Sequence, residues 1–205
     1  MTEPYSKDRP MRVALAGFGT VGRELARRLT AGAIPQARLT AISARDLDKA
    51  RAASAELEPR PLVVPVPELP EHADVVVECA TGDALPAIAE ATLRAGKVLV
   101  PASVGGIAAH PEVLDLAGRY GGRIKVATGA LPGLDAIRAA AEGEIRRLAL
   151  TSRIRPDSLA REAYVIERGF DFTKPLTAPV EVFRGSARTA ALAFPKHFNV
   201  AVTLS

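Results

Sequence analysis

Gly17-Phe18-Gly19-Thr20-Val21-Gly22 follows the apolar run Arg12–Ala16 and opens a segment in which Val21, Leu25 and Leu29 recur every four residues. A strand, a glycine-rich turn and a helix in that order form the start of a dinucleotide-binding crossover. Gly17 permits the tight turn, Gly19 lets backbone amides approach a diphosphate, and Gly22 lets the helix pack close to the strand. The helix N-terminus then offers unpaired N–H groups to the anion. Three glycines in an ordinary turn would be the plain alternative, but a second strand at the expected distance favours the dinucleotide.

Outward from this motif, short β-branched runs alternate with Ala- and Leu-rich segments of helical spacing. Strands are expected at Arg12–Ala16, Leu39–Ser43, Leu62–Val66, Val75–Cys79, Lys97–Val100 and Arg123–Ala127. Helices are expected from Val21 to Leu29 and at Asp46–Glu56, Pro86–Ala95, Pro111–Gly121 and Leu134–Gly143. Runs such as Val75-Val76-Val77 are apolar on both faces, as a strand covered by helices on each side requires. The fold class is therefore α/β, a Rossmann-type doubly wound parallel sheet over residues 1–135. Residues 136–205 read as a second, smaller mixed α/β domain, with half-exposed strands at Arg146–Arg153 and Pro179–Gly185.

Composition narrows the function. Of 205 residues, 48% are hydrophobic and 24% charged, which fits a packed globular chain and excludes extensive disorder. The longest stretch without a charged residue, Val98–Pro111, is shorter than the ~20 residues of a membrane span. No basic run of five exists and aromatics make up 4%, so nucleic acid is not an expected partner. A single cysteine makes neither a disulfide nor a zinc cluster, and a reducing, cytoplasmic setting follows by default. No metal site is expected. Residues 146–205 carry 10 basic against 5 acidic residues, which suits an anionic ligand or simply a solvated face.

The cofactor's identity should be written at the second strand's tip, Ser43-Ala44-Arg45-Asp46. Arg45 could face a 2′-phosphate while Asp46 caps the next helix, so NADP stands beside NAD. Two further segments reach the crevice from later strands: Glu78-Cys79-Ala80-Thr81-Gly82 and Pro101-Ala102-Ser103-Val104-Gly105-Gly106, whose small residues would let a nicotinamide lie against backbone. Cys79 reads as a structural thiol rather than a nucleophile, having no His near it in sequence. His72 and His110 sit at element edges and take no chemistry. The turn from Thr128 and Gly129 to Gly133 could donate amides to a substrate carboxylate. Lys196, His197 and Asn199 gather a cation, an imidazole and an amide beside Pro195, a plausible carboxylate or carboxamide reader.

From Met11 onward the sequence resembles the L-aspartate dehydrogenase family. The resemblance rests on Glu78-Cys79-Ala80, Ser103-Val104-Gly105-Gly106, Thr128–Ala136, Phe183–Arg188 and Phe194-Pro195 with Asn199-Val200-Ala201. It implies a homodimeric NAD(P)-dependent oxidoreductase that converts L-aspartate to iminoaspartate, hydrolysed to oxaloacetate and ammonia on the way to NAD. It also implies cofactor contacts from Ala130 and Asn199. The family's acid/base histidine follows the Asn-Val-Ala motif, whereas this sequence stops at Ser205 and His197 precedes the motif. The catalytic residue is therefore left unassigned and the second domain is expected to be incomplete. A homoserine dehydrogenase-like or dihydrodipicolinate reductase-like enzyme, or a cofactor-binding module without catalysis, remain the alternatives.

Overall fold

The computed structural model describes residues 5, 6, 8–127, 133–194, 197, 199 and 203. The chain divides into two compact units, Met1–Ala127 and Thr128–Ser205.

In the first unit the strands are β1 (Met11–Ala16), β2 (Ala37–Ser43), β3 (Leu62–Val63), β4 (Val75–Glu78), β5 (Val98–Pro101) and β6 (Arg123–Ile124). They form one sheet in the order β3-β2-β1-β4-β5-β6, with every neighbouring pair parallel. The winding direction reverses between β1 and β4, and in sheets of this kind the ligand crevice lies at such a point, outside the carboxyl ends of the strands. Helices α1 (Thr20–Thr30), α2 (Leu47–Ala53), α3 (Leu85–Arg94), α4 (Val104–Ala109) and α5 (Glu112–Tyr120) make the connections, and the sheet is the Rossmann-like one expected. Val13, Leu15, Phe18, Leu29, Leu39 and Ile42 form the core beneath α1 and α2. Leu85, Ile88 and Leu93 of α3 are likewise buried. At the amino ends of the strands, the Arg12 guanidinium and backbone N–H both bond Asp74, which joins β1 to the entry of β4.

Several sequence expectations need correction. In α1 the buried face is Gly22, Ala26 and Leu29, while Val21 is 60% exposed and Leu25 only partly buried. The helix approaches the sheet so closely at its start that only small residues fit, and a search for large apolar residues misses them. The strand expected through Val66 ends at Val63, and Val66–Glu71 turns as a 3-10 helix behind Pro65. Cys79 lies just past β4, and the strand expected through Ala127 ends at Ile124. Ser103-Val104-Gly105-Gly106 is the start of α4, not an open turn. Between β1 and β2 the register slips, with Val13 opposite Leu39 but Ala14 opposite Ala41. The surplus residue, Thr40, donates its hydroxyl to the Val13 carbonyl at 3.0 Å.

In the second unit the described elements are α6 (Leu134–Ala140), α7 (Pro156–Leu159), α8 (Ala163–Glu167) and α9 (Ala187–Ala193). Leu159, Val165 and Phe194 are buried, and Tyr164, Phe183 and Phe194 meet ring to ring at 5.0–5.8 Å between centroids. Ser186 caps α9 by accepting from the Thr189 N–H. The segments Arg146–Arg153 and Pro179–Gly185 are irregular rather than strands, because neither has a ladder partner among the described residues. Leu148, Leu150 and Val180 are exposed there. Among the described residues, no helix is long and apolar enough to cross a membrane.

Candidate functional site

The fingerprint loop is fixed by backbone approach. Gly17 has φ +112°, which L side chains rarely adopt, and a Cβ there would stand 2.5 Å from the Cys79 carbonyl. Its N–H donates to the Ser43 carbonyl at 2.8 Å, and the Cys79 N–H donates to Ala16 at 2.8 Å. The loop is thereby tied to the ends of both neighbouring strands. A Cβ on Gly22 would lie 2.2 Å from the Gly17 carbonyl oxygen, so α1 begins in contact with the turn. Arg23 adds a brace: its Nε donates to the Phe18 carbonyl at 3.2 Å and its guanidinium lies over the Phe18 ring.

Gly19 differs from the other two. It is the N-cap of α1, and among the described residues a Cβ there would meet nothing within 4 Å and no side chain caps the helix. The first turn carries no acidic residue. Thr20 and Val21 are exposed beside it. A helix start without an acidic side chain, and uncapped among the described residues, suits a diphosphate, which would accept from amides at the positive end of the helix. The residues present fit a nicotinamide dinucleotide.

At the tip of β2 Ser43 is buried and Arg45 exposed, with no ion-pair partner among the described residues. Asp46 caps α2 as expected, its Oδ1 accepting the Lys49 N–H at 2.9 Å. On the other side of β1, Glu78 ends β4 fully buried. Its Oε1 accepts from the Ala80 N–H at 2.6 Å and the Ser103 hydroxyl at 3.1 Å, and its Oε2 accepts from the Ser103 N–H at 2.8 Å. Burial, followed by the adjoining Glu78 carboxylate, pushes the Cys79 thiol up to about 11, so it is no thiolate nucleophile at neutral pH. Val104, Gly105 and Gly106 are buried, and a Cβ on Gly106 would press on Leu85 and Gly82. The absent side chain of Gly106 serves helix packing, and Ala102 and Ser103 are the accessible part of that segment.

Gly17, Gly19, Thr20, Val21, Gly22, Arg45, Cys79 and Ala80 are thus gathered at the carboxyl ends of β1, β2 and β4. His197 and Asn199 belong to the second unit. His197 Nε2 is 3.3 Å from Glu162, both side chains largely buried, and the Asn199 carbonyl accepts the Thr203 hydroxyl. Thr128, Gly129, Ala130 and Lys196 lie outside the described residues. Sequence reasoning placed Glu78 in a crevice-facing segment without giving its side chain a role, and did not single out Glu162. A lone carboxylate closing a valine run was the available signal for the first, whereas nothing in the sequence pairs Glu162 with His197. Among the described residues no group of His, Cys, Asp and Glu gathers to hold a metal.

The switch-point crevice and its glycine cradle define a nicotinamide dinucleotide-binding α/β domain of the oxidoreductase class. Residues 17–127 match the homoserine dehydrogenase NAD-binding domain family, and residues 135–205 match the aspartate dehydrogenase C-terminal family. The chain is 46% identical to L-aspartate dehydrogenase 3 of Bordetella bronchiseptica, covering 94% of this chain and 71% of that protein. It is 41% identical to L-aspartate dehydrogenase of Bradyrhizobium diazoefficiens, covering 95% and 69%. Aspartate dehydrogenase of Thermotoga maritima shares the fold, with a TM-score of 0.61 at 20% identity over 95% of this chain and 72% of that one. The chain belongs to the L-aspartate dehydrogenase family.

Proposed function

We propose that this chain is an NAD(P)-dependent L-aspartate dehydrogenase. L-Aspartate gives up a hydride from Cα and a proton from its amine to become iminoaspartate, which water converts to oxaloacetate and ammonia. The nicotinamide cofactor, when bound, accepts that hydride. The observation that carries the reading is the open, uncapped start of α1 at Gly19, set in a chain whose relatives bear this enzyme's name over two thirds of their length.

The residues divide the work. Amides at the start of α1 hold the diphosphate, with Gly17 and Gly22 keeping turn, strand and helix in contact. Cys79 and Ala80 border the nicotinamide half through their backbone, and Ala130 and Asn199 contribute contacts carried over from the family resemblance. Thr128 and Gly129, together with Lys196 and His197, bind the two carboxylates of the substrate, the imidazole oriented by Glu162. No residue is assigned as general acid/base. Because Asp46 is engaged as a helix cap while Arg45 is exposed, a 2′-phosphate is accepted at the tip of β2. The enzyme works as a cytoplasmic homodimer and feeds NAD synthesis.

Oxidation of NADH and NADPH followed by absorbance, with oxaloacetate and ammonia as substrates, tests the reading. Turnover with these and not with aspartate semialdehyde is expected. Cofactor binding without turnover on any amino acid would replace it with a non-catalytic binding module. Turnover of the semialdehyde would favour a homoserine dehydrogenase activity, which the match of residues 17–127 makes the relevant competitor.

A further inference from the structure

Val75-Val76-Val77 runs through the middle of the sheet and ends on a carboxylate. Glu78 has no exposed surface, and burying a charged carboxylate is costly unless every oxygen is satisfied. Here the donors come from two crossover loops: Ala80 after β4, and Ser103, 25 residues on, after β5. No cation pairs with it among the described residues. A well-packed apolar residue would serve stability as well or better at such a position. The carboxylate supplies something else: it holds two separate loops at one fixed spacing.

The position of those loops gives the clamp its meaning. The diphosphate cradle lies at the end of β1, and the adenosine half extends toward the tip of β2, where Arg45 stands. The other half of a dinucleotide must then lie across the switch point, over the ends of β4 and β5. The loops joined by Glu78 are the loops at those two strand ends. The Ala102 N–H also donates to the Glu78 carbonyl at 3.0 Å, so backbone and side chain of one residue hold the same pair of loops.

We propose that Glu78 is a positioning residue for the nicotinamide half of the cofactor, holding Ala80 and Ser103 as a rigid floor without touching the adenosine half. The proposal rests on the dinucleotide-binding reading above. Its test compares two ligands on the whole chain, reduced nicotinamide dinucleotide and ADP-ribose (each with and without the 2′-phosphate), which differ by the nicotinamide alone. In Glu78→Gln one acceptor becomes an NH2 group facing N–H and O–H donors. Loss of such a charged hydrogen-bonding group weakens binding of the whole dinucleotide about tenfold, while ADP-ribose affinity stays within about twofold. Ser103→Ala removes one donor of three and gives the same asymmetry at about threefold.

Equal weakening of both ligands, or an unchanged dinucleotide affinity in a variant that melts like the wild type, overturns the proposal. Should Glu78→Gln fail to fold, the ratio measured with Ser103→Ala decides alone. A wild-type chain that binds neither ligand refutes the cofactor reading, and the proposal with it. A wild type that binds both, with variants that lose both alike, refutes only the positioning role.

Discussion

The two units of this chain reach their folds by different means. In Met1–Ala127 every strand pairs with a parallel neighbour, and aliphatic side chains fill the space beneath the helices. In the second unit the described helices are four to seven residues long, and a few aromatic rings around Phe194 supply the buried contacts. Helices that short are not stable by themselves, so α7, α8 and α9, which bring Leu159, Val165 and Ala193 to the ring cluster, depend on it. The contrast teaches where precision comes from. A sheet can place loops to a fraction of an ångström because its ladder fixes both ends of every strand.

The largest expected effect breaks the first unit at its tightest contact. In Gly22→Val the added carbons meet the Gly17 carbonyl, and a loss of about 4 kcal/mol or more is expected, with cofactor binding abolished. Thermal melts and titration with NADPH would measure both. Phe194→Ala is the counterpart in the second unit, at about 3 kcal/mol. Hydrogen exchange should then quicken at α8 and α9 while β1 and β4 keep their protection. Joint loss of protection would show that the units do not unfold separately.

Gly19→Ala sharpens the comparison by separating fold from function. Because a Cβ there meets nothing among the described residues, the melting temperature should hold, while dinucleotide affinity falls about tenfold as the methyl occupies the anion's place. An unchanged affinity would exclude the cradle as the binding site. Asp74→Asn is smaller, about 1 kcal/mol at neutral pH. The Arg12 guanidinium, bonded to Asp74, holds that carboxyl below its ordinary value of 3.8. Its stabilisation is therefore present above that value and lost as pH falls through the lowered one. Melting curves of wild type and variant should converge in that acidic window. The smallest effect concerns Cys79. With the thiol at about 11, alkylation by iodoacetamide at pH 7.5 should be far slower than for free cysteine and should accelerate above pH 9.

Much of the first unit was legible in the sequence. Its β-branched runs and the spacing Gly17, Gly19, Gly22 follow local rules, as does the capping by Asp46. The face of α1 was not, since Gly22 and Ala26 carry no hydrophobic signal and are buried because they are small. Gly105 and Gly106 read as a turn for the converse reason: a glycine pair looks like a turn until Leu85 and Gly82 are seen against Gly106, inside α4. Glu78 was visible as a charge after three valines, but its partner Ser103 lies 25 residues away, beyond any local pattern. Arg146–Arg153 has alternation without a neighbouring strand among the described residues, and alternation alone forms no ladder.

The surplus Thr40 in β2 marks a place where the sheet tolerates a change of length. Without it, Leu39 and Ala41 would be ordinary neighbours opposite Val13 and Ala14, and every later rung, Ser43 against Ala16 included, would keep its partner. Deleting a single threonine in mid-strand should therefore leave the Gly17 amide on the Ser43 carbonyl, giving up only the local twist and the hydroxyl bond to Val13.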